Sequence, residues 1–245
     1  GALTLSGGTL QVSGGITAGN GANTAALGSV TLTGSGQTIA LSGSTAKLTG
    51  DLDIGASSNN LVYSTTSGGG VAHNMNISGS GNINVTSLTA PPNYQIAWGG
   101  NNSGWTGDLY LNSGSIRIDS ATSISAANTV YFTDVGPYAT AIGVGASAFT
   151  VGGLQGSAGT IFRSWTTPNA TLTIDTGGHS YSFGGDIISG SGVLGITKTG
   201  AGTQTLSGNN TYTFTTTING GTLRMSGAGT LGASSGMLTL SGGTL

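Results

Sequence analysis

Asp51 and Asp53, in the run GDLDIG, stand two residues apart. On a strand this spacing puts both carboxylates on one face, where they could hold calcium or share acid–base work. Solvated turn acids are the competing reading, because the chain offers only five other aspartates and no glutamate. The two histidines, His73 and His179, are expected in different strands with no Cys or Glu nearby in sequence, which argues against zinc. Two runs, GSGVLG at 190–195 and GAGTLG at 227–232, fit the G-x-G-x-x-G dinucleotide fingerprint. Glycine fills 48 of 245 positions, so about two such matches arise by chance, and neither precedes a helix as the fingerprint requires. No P-loop is present. No catalytic residue, metal site or cofactor is expected, and a non-enzymatic chain is the better reading.

The elements that position these residues follow from composition. Charged residues make up 5% of the chain, the formal net charge is −2, and hydrophobic residues make up 36%. Disordered segments carry high charge and few β-branched residues. This chain is nearly uncharged and dense in Thr, Ile and Val, so it is expected to fold as β. Apolar positions alternate and Gly recurs every few residues, which leaves no amphipathic segment of helical length. Five scattered basic residues exclude a nucleic-acid footprint. No apolar run approaches the roughly 20 residues of a membrane span.

Alternating runs are expected as strands at 2–12, 29–41, 46–54, 60–64, 75–85, 108–118, 129–133 and 171–174, and within 195–225. Between them lie Gly-Gly, Ser-Gly, Gly-Asn and Asn-Gly pairs, the residues of tight turns. A sandwich, an up-and-down barrel and a parallel β-solenoid all accept that rhythm.

Internal repeats favour the solenoid. GALTLSGGTL at 1–10 returns as GMLTLSGGTL at 236–245, with nine of ten positions identical. GNNSGWTGDLYLNSGSIRI at 100–118 is echoed by GNNTYTFTTTINGGTLRM at 208–225, which aligns Asn112 with Asn219 and Arg117 with Arg224. Residues 1–245 are therefore read as one solenoid segment that restarts its own pattern at 236–245. Coils of roughly 20–25 residues at about 4.8 Å spacing would give ten to twelve coils and a rod on the order of 50 Å long. Leu3, Leu5, Leu10, Val12, Leu206, Ile218 and Leu223 are expected to point inward, with Gly and Asn at the corners and stacked Asn side chains along the axis.

The stretch GITKTGAGTQTLSGNNTYTFTTTINGGTLRM at 195–225, with GTLGASSGMLTLSGGTL at 229–245, resembles the autotransporter-associated β-strand repeat. Gly200, Gly202, Thr203, Leu206, Gly208, Asn209, Asn210, Tyr212, Ile218, Asn219, Gly221 and Leu223 fill its recurring positions. The likeness is good over 195–245, recognisable at 1–12 and 100–118, and weak elsewhere. It implies a right-handed parallel β-helix and an origin in large bacterial surface or secreted proteins. It supplies no catalytic residue. TYTFTTTI stands where a Gly usually follows the Tyr-Thr pair, so a bent or bulged coil is expected there.

The middle, 91–168, holds all three tryptophans and all four prolines. Trp98, Trp105, Tyr110 and Trp165 are the candidate contact surface, and thicker coils with ordinary aromatic packing are the alternative. The functional expectation is a structural unit of an extracellular fibre, stalk or passenger, extended by tandem copies or by end-to-end self-association. The alternative is an adhesin module binding glycans or surfaces through the aromatic middle. A third reading, ice binding, rests on the Thr-x-Thr triplets at 31–33, 171–173 and 211–213, which do not recur at one period. The five basic residues, Lys47, Lys198, Arg117, Arg163 and Arg224, leave few sites for trypsin-like proteases.

Overall fold

The computed structural model describes residues 2–13, 23–42, 46–64, 72–87, 96–133, 141–164 and 169–245. Among them every element is a strand or a turn, and every strand pair is parallel. Each strand pairs with its counterpart one coil on, as Leu3 with Val30 and Leu206 with Met225. The result is a parallel β-solenoid. Its second sheet holds ten strands, from Thr9–Ser13 to Thr222–Met225. At about 4.8 Å per strand that sheet extends roughly 45 Å along the axis.

The other faces arise by a fork. In the first sheet the long strands Asn23–Leu32, Ala46–Asp53 and Ala72–Gly79 lie on one another. Beyond them the sheet divides, because Ala72 and His73 pair with Ala97 and Trp98 while Ser78 and Gly79 pair with Gly104 and Trp105. A third sheet of five strands, from Ala148–Val151 to Leu238–Leu240, covers the later coils. The cross-section there has three faces.

Several expected strands contain a corner. The run at 29–41 breaks between Leu32 and Thr38, and that at 75–85 breaks between Gly79 and Ile83. The run at 108–118 breaks at Gly114, whose φ of 78° suits a residue without a Cβ. Alternation continues across a corner, so the sequence pattern does not mark it. The bend expected at 211–215 is present: no strand forms there, and Phe214 is 44% exposed.

Stacking places like residues in columns. Leu10, Ile39, Leu61, Val85, Leu111, Phe132, Gly156, Phe183, Leu206 and Met225 share one register position through ten strands. Phe132 and Phe183 are two coils apart, yet their ring centroids lie 5.2 Å from each other. Gly156 between them has no side chain, and a Cβ there would come 2.8 Å from that of Phe132. Leu206, Ile218 and Leu223 are fully buried as expected, and Leu5 packs partly against the core. Leu3 stands in the inward column above Val30 but is 37% exposed, because it lies on the outermost coil. The side chain of Val12 lies outside the described set.

One inward column contains a cation. Val151, Ile174, Lys198, Ile218 and Leu240 stack in register, and Lys198 is fully buried. Burying an ammonium is costly unless its donors are met. Lys198 Nζ donates to the carbonyl oxygens of Thr199, Gly200 and Gly220 at the corner. Burial lowers its pKa, and the charge of Asp175 opposes that shift. Lys198 is therefore no accessible protease site, which corrects the sequence expectation.

Corner asparagines are buried more often than stacked. Asn102 accepts from Ile77 N at 2.7 Å and donates to Ser123 O at 2.9 Å, so one side chain ties three coils. Asn210 accepts from Ile187 N at 2.9 Å and donates to Thr230 O at 2.7 Å in the same manner. The expected axial Asn contact occurs at Asn84 Nδ2 to Asn60 Oδ1, 3.2 Å. Threonines form a solvent-side ladder on the third sheet, where Thr150, Thr173, Thr197, Thr217 and Thr239 share one position. The flanking column mixes Ala148, Thr171 and Gly195, so no flat two-rank threonine face results.

The repeat-signature glycines mark close backbone approach. A Cβ on Gly202 would lie 1.8 Å from the carbonyl oxygen of His179, and one on Gly208 would lie 2.0 Å from that of Gly185. Gly202→Ala is expected to destabilise the fold by about 2–4 kcal/mol in urea unfolding, because backbone must move to admit the methyl group. Gly178→Ala, whose Cβ would meet nothing within 4 Å, is the control and should fall within about 0.5 kcal/mol of wild type.

Tyr212, another signature residue, is fully buried, with its hydroxyl 2.7 Å from Thr216 Oγ1. Burial pushes its phenol up to about 12 from the usual 10, and the Thr216 hydrogen bond opposes that rise. The folded state thus keeps a proton that the unfolded chain releases, and this contribution is complete below pH 10 and lost as pH rises from 10 toward 12. The unfolding free energy from urea titrations between pH 8 and 12 should fall across that window by an amount on the order of 2–3 kcal/mol. In Tyr212→Phe that part of the alkaline slope should vanish.

Candidate binding groove

The expected contact surface is corrected at its centre. Trp98 and Trp105 are fully buried and pack edge to face, with centroids 6.0 Å apart. Trp105 Nε1 donates to Gly81 O at 2.8 Å, which satisfies the indole inside the coil. Neither ring faces a partner, because the first sheet forks here and the large rings fill the widening interior. Trp165 lies outside the described residues. Tyr110 is half-buried on the second sheet, stacked on Tyr131 with centroids 4.5 Å apart and planes at 5°.

Asp53 Oδ1 accepts from Gly55 N at 2.9 Å, and Asp51 Oδ1 accepts from Asn76 Nδ2 at 3.0 Å. Both are exposed acids serving local structure. His179 lies in the turn before Ser180–Phe183 rather than within a strand, and the side chain of His73 is not among those described. No group of three or more His, Cys, Asp or Glu able to hold a metal occurs among the described residues.

Beside Tyr131 the surface opens into a groove of about 500 Å³, which lies within the usual range of ligand sites. Its lining spans four coils: Asp108 on the first, Thr129 and Tyr131 on the second, Gly152 on the third, and Asp175, Thr176, His179 and Tyr181 on the fourth. Gly153 makes the span possible. A Cβ there would sit 2.3 Å from the Tyr181 ring, so its absence lets Tyr181 lean across to Thr129, whose Oγ1 donates to the Tyr181 hydroxyl at 3.2 Å. His179 flanks Tyr181 at a centroid distance of 6.2 Å.

Where Tyr181 swings aside, the sheet is repaired from below. Gln204, fully buried, accepts from Leu154 N and donates to Leu154 O, both at 3.0 Å, two coils away. Its side-chain amide takes the place of a peptide group.

The groove is acidic and rich in hydrogen-bonding groups. Asp108 Oδ1 accepts from Thr129 N at 3.0 Å and Asp175 Oδ1 from Gly177 N at 3.1 Å. Each carboxylate is thus fixed by one oxygen, and the other has no protein partner among the described residues. Among the described residues no Lys or Arg lines the groove. Burial and the charge of Asp108 raise the pKa of both Tyr110 and Tyr131, so both phenols stay protonated. The buried Thr176 hydroxyl has no hydrogen-bond partner among the described residues.

Among these residues only Tyr110, at the groove's edge, belongs to the contact surface expected from sequence. Asp108, Tyr131, His179 and Tyr181 were missed because they converge through stacking. The one available signal was the recurrence of Tyr at 131 and 181 in runs that occupy the same sheet.

Comparison with known proteins reinforces the fold-level reading. Residues 196–225 match the family model of the passenger-associated-transport-repeat. Over 139 residues the chain is 32% identical to the adhesin BmaC autotransporter of Brucella suis biovar 1 (strain 1330). That similarity covers 46% of this chain and 4% of the relative. No solved structure matches the chain. The matched segment contains the buried Lys198, the tight glycines Gly202 and Gly208, and the core tyrosine Tyr212. Residues 196–225 therefore read as one passenger-associated-transport-repeat.

Proposed function

We propose that this chain is a non-catalytic rod segment of a bacterial cell-surface passenger, built as a right-handed β-helix and continued in tandem by further coils. The observation that carries the reading is an echo that returns to the second sheet in both copies, its first strand lying in the first sheet at Ala2–Leu5 and in the third at Leu238–Leu240. Leu3-Thr4-Leu5 forms a strand, a Ser-Gly-Gly turn follows, and Thr9 joins the second sheet by pairing with Thr38. In the second copy Leu238-Thr239-Leu240 forms a strand, the same turn follows, and Thr244 bridges to Thr222 in that sheet. Leu238 and Leu240 stand in the inward columns of Thr216 and Ile218, as Leu3 stands in that of Val30. A further coil at either place would cover apolar side chains that are now 37–56% exposed.

Right-handed winding is supported by the rule that crossovers between parallel strands of one sheet turn right-handed in about 98% of cases. The surface location is supported by the transport repeat and by the relative's description as an autotransporter adhesin. No helix among the described residues is long and apolar enough to cross a membrane.

The specific observation favouring an adhesive role is the groove at Tyr131 and Tyr181. It offers aromatic faces and fixed acceptors on a rigid sheet, which suits a displayed ligand site.

The tandem reading is testable with a fusion of residues 1–245 to 11–245, sharing one copy of the ten-residue echo. Small-angle scattering should show one straight rod roughly twice as long as the single unit, unfolding in a transition shifted to higher urea. Two short rods moving independently about the junction would refute continuation of the stack.

A further inference from the structure

We propose that the groove between Tyr131 and Tyr181 binds a neutral sugar ring of a glycan and discriminates against acidic glycans. The proposal rests on the adhesive reading above and names the ligand class for that site. A pyranose has one apolar face and a rim of hydroxyl groups, so a complementary site needs an aromatic wall and fixed acceptors. The groove has both. Tyr181 and His179 form a wall on one coil, and Tyr131 with Tyr110 stacked behind it forms a second wall two coils away.

Asp108 and Asp175 supply the acceptors. Backbone N–H groups of Thr129 and Gly177 each hold one carboxylate oxygen, which fixes the orientation of the other before a ligand arrives. Sugar hydroxyls donating to those remaining oxygens would form charge-assisted bonds, the stronger kind. The volume of about 500 Å³ admits more than one ring, so the site suits an internal or terminal segment of an oligosaccharide.

Charge sets the preference. Two carboxylates line the groove and, among the described residues, no Lys or Arg does, so a sialic acid, uronate or sulfate would face like charge. Neutral hexoses and N-acetylhexosamines do not.

The test is a glycan array probed with the full chain, followed by titration calorimetry with the best neutral and the best acidic oligosaccharide. Neutral ligands should bind at least tenfold more tightly than sialylated or sulfated counterparts. Asp175→Asn keeps the acceptor for Gly177 N and should weaken neutral binding at least tenfold, with the β-sheet circular dichroism spectrum retained. Tyr181→Phe keeps the ring and tests the hydroxyl, and Tyr181→Ala removes the wall and should abolish binding. Preference for acidic glycans would overturn the proposal, as would neutral binding that ignores Asp175→Asn and Tyr181→Ala. If no glycan binds but the chain still attaches to host-cell surfaces, the glycan proposal fails and the adhesive reading stands. Loss of both means that the adhesive reading fails with it.

Discussion

A residue in a stacked coil has two neighbours at about 4.8 Å, one above and one below. Every inward position therefore sees its own register partners before it sees anything else, and every corner must let the next coil's backbone pass. This one spacing governs the molecule. It makes columns of Leu, Ile and Val self-consistent, and it forbids a side chain at Gly202 and Gly208, where a carbonyl oxygen of the adjoining coil already occupies the Cβ position. It also lets large residues meet across a coil that leaves a gap, as Phe132 and Phe183 do across Gly156.

The polar groups answer to the same spacing. Stability here owes little to ion pairs: among the described residues the Arg117–Asp119 contact is the salt bridge present, and it is partly exposed. Instead, buried amides bind backbone groups at corners and gaps. Asn102, Asn210 and Gln204 each bring a donor and an acceptor on one rigid plane, which matches a backbone N–H and a carbonyl on neighbouring coils. Lys198 does the donor half of that task for three carbonyl oxygens and accepts burial in return.

Sequence alternation and turn residues were enough to read all-β structure and stacking, because a period of two is set by the backbone alone. The tight glycines were legible as a motif before their carbonyl neighbours were known. Strands between Ala141 and Ser164 were not legible, since AIGV, AFTV, GLQG and IFRS are too short and too rich in small residues to show a period. Trp98 and Trp105 were misread because residue type does not tell which side of a forked sheet a ring will occupy. The groove was invisible for a related reason: Asp108 and Tyr181 lie more than two coils apart along the chain, and only the register brings them together.

The reach of Gln204 has a mechanical consequence. In a rod pulled along its axis, force acts along the interstrand hydrogen bonds, and an unaided stack would peel one coil at a time. Gln204 grips Leu154 across 50 residues, Thr129 grips Tyr181 across 52, and the two contacts overlap. Between residues 129 and 204 a single coil cannot detach without breaking a clamp that another coil holds shut. Pulled from its ends, this part of the rod is expected to yield as one block.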